Sequence, residues 1–147
     1  MFERSKLVPE LMVTHLDNSL DFWVSCLGLE MAYQRPEDGF SYLDLNGAQV
    51  MREQADPEAG QWLTAFLTRP FGRDINLQID VAAVGPIIHK LDQVGFPLFR
   101  ECKDTWYRAN NVEVGQREFI VQGSRWLSRK VGRAFGRAPG LFILNSG

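Results

Sequence analysis

Leu7 to Thr14 (LVPELMVT) is a short apolar run interrupted by one proline. Proline cannot donate to a ladder, so Pro9 places this strand at a sheet edge, or in an arm that leaves the body. From His15 to Leu27 the positions Leu16, Leu20, Trp23 and Leu27, with Phe22 beside them, recur at helical spacing. Asp17, Asn18 or Ser19 is the expected cap, and Gly28 stands where such a helix stops. Three strand-like runs follow at 29–35, 40–45 and 48–54, separated by Pro36-Glu37-Asp38-Gly39 and Asn46-Gly47. Asn-Gly between alternating runs is a strong hairpin signal. Residues 55–73 read as a connector with a short helix near 60–66. The pattern then restarts. Residues 75–81 form a strand, and Val84, Ile87, Ile88, Leu91 and Val94 mark a helix face ended by Gly95. Strands are expected at 97–100, 105–108 and 115–122, with Asn110-Asn111 as a turn. Both halves read β-α-β-β-β, which predicts an internal structural duplication.

The 147 residues are 45% hydrophobic and 23% charged, enough for a folded core without staples. Sixteen basic and eighteen acidic residues leave a net charge of −2, which argues against a nucleic-acid binder working through a basic face. No apolar run reaches the roughly 20 residues of a membrane span, and the first residues do not read as a signal peptide. Cys26 and Cys102 match no disulfide framework or zinc spacing, so a cytoplasmic protein with two free thiols is expected. No catalytic triad, phosphate-binding loop or dinucleotide-binding glycine pattern is present.

Four segments carry a family likeness. They are VPEL.V..L..SL.FW...LGLE at 8–30, RPEDGFSYL at 35–43, RPFGRDINLQIDV at 69–81 and WYR...VEVGQREFIVQ at 106–122. In this order, on a doubled βαβββ pattern, the chain resembles the glyoxalase/bleomycin resistance protein/dioxygenase (vicinal oxygen chelate) superfamily, and most of all its bleomycin-resistance-like branch. The resemblance implies an α+β fold of two βαβββ modules whose curled mixed sheets form a cleft, assembled as a homodimer. Module one would span about 5–55, the connector 56–73, module two about 74–122, and an atypical tail 123–147. It also implies exchange of the first strand between subunits, for which Pro9 sits in the right place.

Enzymes of that superfamily hold a divalent ion with His, Glu or Gln side chains on four strands. Matching the motifs places three of those positions near Val8, Met51 and Asn76, none of which is such a ligand. Glu10, Glu53 and Gln78 lie two residues away on the same strand faces, so a shifted site is the alternative. His15 reads as a cap or surface residue and His89 as solvated. No metal and no cofactor is therefore expected.

The fourth position falls in the tail, where the resemblance implies Asp-Pro-Asp-Gly-Tyr after Gln122. The chain instead reads GSRWLSRKV, and the whole tail has five basic residues and no acidic one. Suitable codons for Gly123 to Val131, read one base later, spell Asp-Pro-Asp-Gly-Tyr-Leu-Val-Arg-Leu. A one-base insertion after Gln122 would account for the departure, and the DNA sequence of the gene tests it. The shifted frame gives only Lys or Arg at the ligand position, read from Lys130 and the first base of Val131. The tail is expected either to be partly disordered or to patch onto the body through Trp126, Leu127 and Leu141 to Leu144, without binding nucleic acid or membrane.

What remains is an aromatic pocket. Phe40, Tyr42, Met51, Trp62, Trp106 and Tyr107 are the candidate lining residues, Arg108 and Arg117 are candidate rim charges, and only one of Glu118 and Phe119 can face the cleft. Aromatic faces and an acidic surface suit a planar, cationic small molecule of the bleomycin type. The expected function is metal-free sequestration of such a ligand. The alternatives are a divalent-metal-dependent lyase, isomerase or dioxygenase, and a dimer with a degenerate cleft.

Overall fold

The computed structural model describes residues 2–68, 71–72, 75–123 and 141–146. The first sheet holds β1 (Glu10–Val13), β2 (Glu30–Arg35), β3 (Phe40–Leu45) and β4 (Ala48–Gln54) in the order β1-β4-β3-β2. The second holds β5 (Asn76–Asp80), β6 (Arg100–Ala109), β7 (Val112–Gln122) and β8 (Leu141–Ser146) in the order β5-β8-β7-β6. In each sheet the first strand runs parallel to the last and the remaining pairs are antiparallel. Among the described residues no helix is long and apolar enough to cross a membrane.

Helix α1 (Leu16–Leu20) continues into a π-helical stretch, Asp21–Cys26, in which Leu27 N–H donates to the Phe22 carbonyl at 3.0 Å. The wider turn brings Phe22, Trp23 and Cys26 all inward. His15 occupies the cap position without a side-chain cap bond of its own, and the Leu16 amide donates to Gln54 Oε1 at 3.0 Å instead, so the expected capping roles of Asp17, Asn18 and Ser19 are not realised. Helix α2 (Gly85–Gln93) buries Leu91 and rests Ile87 and Ile88 on the core, the face that the spacing predicts. Asn46 and Gly47, at φ of 51° and 94°, make the tight turn between β3 and β4.

A single core lies on the helix side of both sheets. Leu43 and Val50 from the first sheet, and Ile79, Phe119 and Val121 from the second, meet Phe22, Trp23, Leu27, Leu29, Leu91 and Phe96. The Phe22 and Phe96 rings, 5.0 Å apart, join the two halves.

Two expectations need correction. No helix forms near 60–66, where a turn at 57–60, a bend at 64–65 and irregular chain stand instead. The strands expected at 97–100 and 105–108 give way to one ten-residue strand, β6, which starts only at Arg100 and carries a register shift between Arg100 and Lys103. Leu141–Ser146 of the tail forms the last strand of the second sheet, inserted between β5 and β7. Trp126, Leu127 and the rest of 124–140 lie outside the described residues.

Candidate functional site

Side chains alternate across a strand, so each sheet has a helix face and an open face. In the first sheet Leu43 and Val50 point to the helices. Their neighbours Phe40, Tyr42, Gln49, Met51 and Glu53 therefore lie on the open face. The register assembles them in rows. Glu10, Met51, Tyr42 and Tyr33 stand side by side across β1, β4, β3 and β2, and Met12, Glu53, Phe40 and Arg35 form the next row.

The aromatic groups touch. The Tyr33 and Tyr42 rings stack at 5.0 Å, and Tyr33 lies 5.9 Å from Phe40. The Arg35 guanidinium sits 3.9 Å over the Phe40 ring and pairs with Asp38 at 2.7 Å. Tyr42 is fully buried and its hydroxyl donates to Gln49 Oε1 at 2.6 Å. Next to them, burial and the neighbouring Glu53 push the Glu10 carboxyl above its ordinary pKa, against the pull of Arg35. Glu53 accepts a hydrogen bond from Gln61 Nε2 at 2.7 Å.

Of the six sequence-predicted lining residues, the fold thus brings Phe40, Tyr42 and Met51 together. Trp62 stands on the connector, 93% exposed. Trp106 and Tyr107 are adjacent on β6 and so fall on opposite faces. Trp106 lies over Gly115 on the helix-side face, whereas Tyr107 is on the open face. Tyr33 was missed, although its pairing follows from the turn: if Arg35 faces Phe40, Tyr33 faces Tyr42.

The open face of the second sheet centres on Glu118, buried to 3% exposure, while Phe119 points into the core. Glu118 accepts hydrogen bonds from Thr105 Oγ1 at 3.1 Å, Tyr107 Oη at 2.8 Å and Gln116 Nε2 at 2.6 Å. Burial raises its pKa, but these donors and the Lys103 charge outweigh burial and hold it below the ordinary value. The same hydrogen bond raises the Tyr107 hydroxyl. Arg117 grips Asp104 through two bonds of 2.7 and 3.0 Å on the other face, fully at the surface, and so is not a free rim charge.

On the helix side of the first sheet Arg52 is buried against Trp23, whose ring lies 5.1 Å from its guanidinium. It donates to Ser19 Oγ at 2.9 Å, and among the described residues no carboxylate pairs with it. Burial pushes its pKa down to about 9.

Among the described residues the donor set does not fit a divalent ion. Glu10 and Glu53 form a pair, but Met51 between Glu10 and Tyr42 is an apolar thioether, and His15 and His89 are exposed. Among the described residues no three His, Cys, Asp or Glu side chains are grouped to share an ion.

No family model matches the chain, and no curated protein does. Solved structures do. The chain is similar to TioX from Micromonospora sp. ML1 at 15% identity and a TM-score of 0.65, covering 99% of this chain and 98% of that one. A glyoxalase/bleomycin resistance protein/dioxygenase from Nocardioides is similar at 16% identity and a TM-score of 0.60, over 99% and 85% of the two chains. Another from Alicyclobacillus acidocaldarius is similar at 16% identity and 0.54, over 95% and 89%.

Proposed function

We propose that this chain, which has the fold of glyoxalase/bleomycin resistance protein/dioxygenase superfamily members, is a metal-free binding protein that sequesters a planar, cationic small molecule. The observation that carries the reading is the aromatic open face of the first sheet. Tyr33, Tyr42 and Phe40 form one continuous surface, with Glu10 and Glu53 beside it. Flat rings stack on such a surface, and carboxylates next to it attract a positive tail. Met51, in register with both Glu10 and Tyr42, adds a polarisable contact that adapts to ring shape.

The protein acts by gripping and releases its ligand unchanged. Nothing in the aromatic row polarises a carbonyl or activates water. The protein works as a homodimer, in which exchange of β1 replaces its pairing with its own β4 by the same pairing with the partner. Exposed apolar side chains support this. Trp62 and Phe66 on the connector, and Trp106, Val112 and Val114 on the β6–β7 hairpin, leave surface that a second copy covers.

Calorimetric titration with bleomycin tests the reading. Micromolar binding is expected, weakened at least tenfold by Tyr33→Ala. Absence of heat well above micromolar concentration refutes it. So does a stoichiometric divalent ion in protein purified without chelator, which returns the metal-dependent enzyme.

A further inference from the structure

The aromatic face of the first sheet already holds an occupant, the chain's own residues Phe2 to Ser5. The Phe2 ring meets Tyr42 edge-on at 5.2 Å and Tyr33 at 6.1 Å. The Arg4 guanidinium lies 5.7 Å above the Tyr42 ring. The backbone is clipped by one buried side chain. Gln49 Nε2 donates to the Glu3 carbonyl at 2.7 Å, and Gln49 Oε1 accepts from the Ser5 amide at 2.7 Å. Ser5 Oγ donates to the Gly47 carbonyl at 2.8 Å.

A carbonyl and an amide two residues apart, read by one primary amide, is the pairing that a neighbouring strand offers to extended chain. Gln49 is a poor core residue in any other role. Its amide is buried, and a buried amide without partners is costly. Tyr42 hydroxyl satisfies Oε1 from one side only.

We infer that the open face of the first sheet is a site for an amide-bearing aromatic cation, read by Gln49, Tyr33 and Tyr42, and that Phe2–Ser5 is a tethered occupant which an outside ligand displaces. Phe2 supplies the ring, Glu3 and Ser5 the amide pair, and Arg4 the cation. The outside ligand is the one proposed above, and to that extent the inference rests on that reading. It also sharpens it: an aromatic cation without an amide leaves Gln49 unpaired and binds weakly.

The docked segment is tested without that ligand. In the full chain, nuclear Overhauser contacts between the Phe2 and Tyr42 rings are expected. The full-length Phe2→Ala/Ser5→Pro variant removes the ring and the amide donor, leaving the sheet intact. A synthetic peptide of Met1 to Lys6 should bind this variant in trans with a Kd of about 0.1 mM, a tenth of the millimolar effective concentration of the tethered segment. It should bind the unaltered chain at least tenfold more weakly. Adding Gln49→Ala to the variant should abolish peptide binding while thermal unfolding stays cooperative. Missing ring contacts, or equal peptide affinity for chain and variant, overturn the site.

Bleomycin then separates the two readings. A tenfold gain in its affinity for the Phe2→Ala/Ser5→Pro variant supports both. Equal binding to chain and variant overturns the displacement. Binding to neither, with the peptide still discriminating, overturns the sequestration reading and leaves the site and its occupant standing.

Discussion

The two sheets share strand order and strand directions, yet their open faces are furnished in opposite ways. In the first sheet β3 is buried from Phe40 through Leu43 on both faces, because aromatic neighbours and the Phe2–Ser5 segment cover the side away from the helices. In the second, β6 is exposed along nearly its whole length, and Tyr107 and Val114 stand half in solvent. Buried charge divides the same way. Glu118 of the second sheet is saturated with donors, whereas Arg52 of the first has one hydroxyl and an aromatic face. Strand pairing is a backbone property and repeats with the pattern. What a face binds is a side-chain property and diverges freely on an unchanged backbone.

Substitutions sharpen this contrast, beginning with the largest effect. Tyr42→Ala removes a fully buried ring and should cost about 3 kcal/mol of stability in urea unfolding. Trp106→Ala, in the second sheet, should change little, since that ring is 67% exposed. A loss at Trp106 equal to that at Tyr42 breaks the comparison.

Glu118→Ala strands three donors and should cost about 2 kcal/mol at neutral pH. The sign with pH follows from its lowered pKa. The stability Glu118 contributes is complete above the ordinary carboxylate range and is lost as pH falls through its depressed value. The difference between chain and variant should therefore shrink in acid.

Arg52→Met replaces a buried cation, with which no carboxylate pairs among the described residues, by a side chain of similar length and should stabilise the protein by about 1 kcal/mol, read as a higher midpoint. Glu10→Gln is the smallest effect. A raised carboxyl pKa means that stability is present in acid and lost as pH rises through that value. The variant should gain about 0.3 kcal/mol at neutral pH, small because the group meets solvent, and nothing in acid.

The aromatic site was half legible before the fold was known. Phe40, Tyr42 and Met51 share a face by strand period alone, and Asn46-Gly47 sets their register. Trp62 could not be placed, because a connector without period has no face. Trp106 and Tyr107 were grouped as neighbours in sequence, and the same period that joins residues two apart separates residues one apart. Phe2 carried no signal at all, since the segment before β1 has neither helix nor strand pattern.

Hydrophobic period, turn glycines and the restart after residue 73 determined the order of strands and helices, because these are local preferences written in consecutive side chains. Tertiary structure alone decided which aromatic rings meet, that Gln49 clips Glu3 and Ser5 across more than forty residues, and that Leu141–Ser146 closes the second sheet between β5 and β7. Those choices depend on contacts between distant segments, where many pairings satisfy the same local pattern and packing selects one.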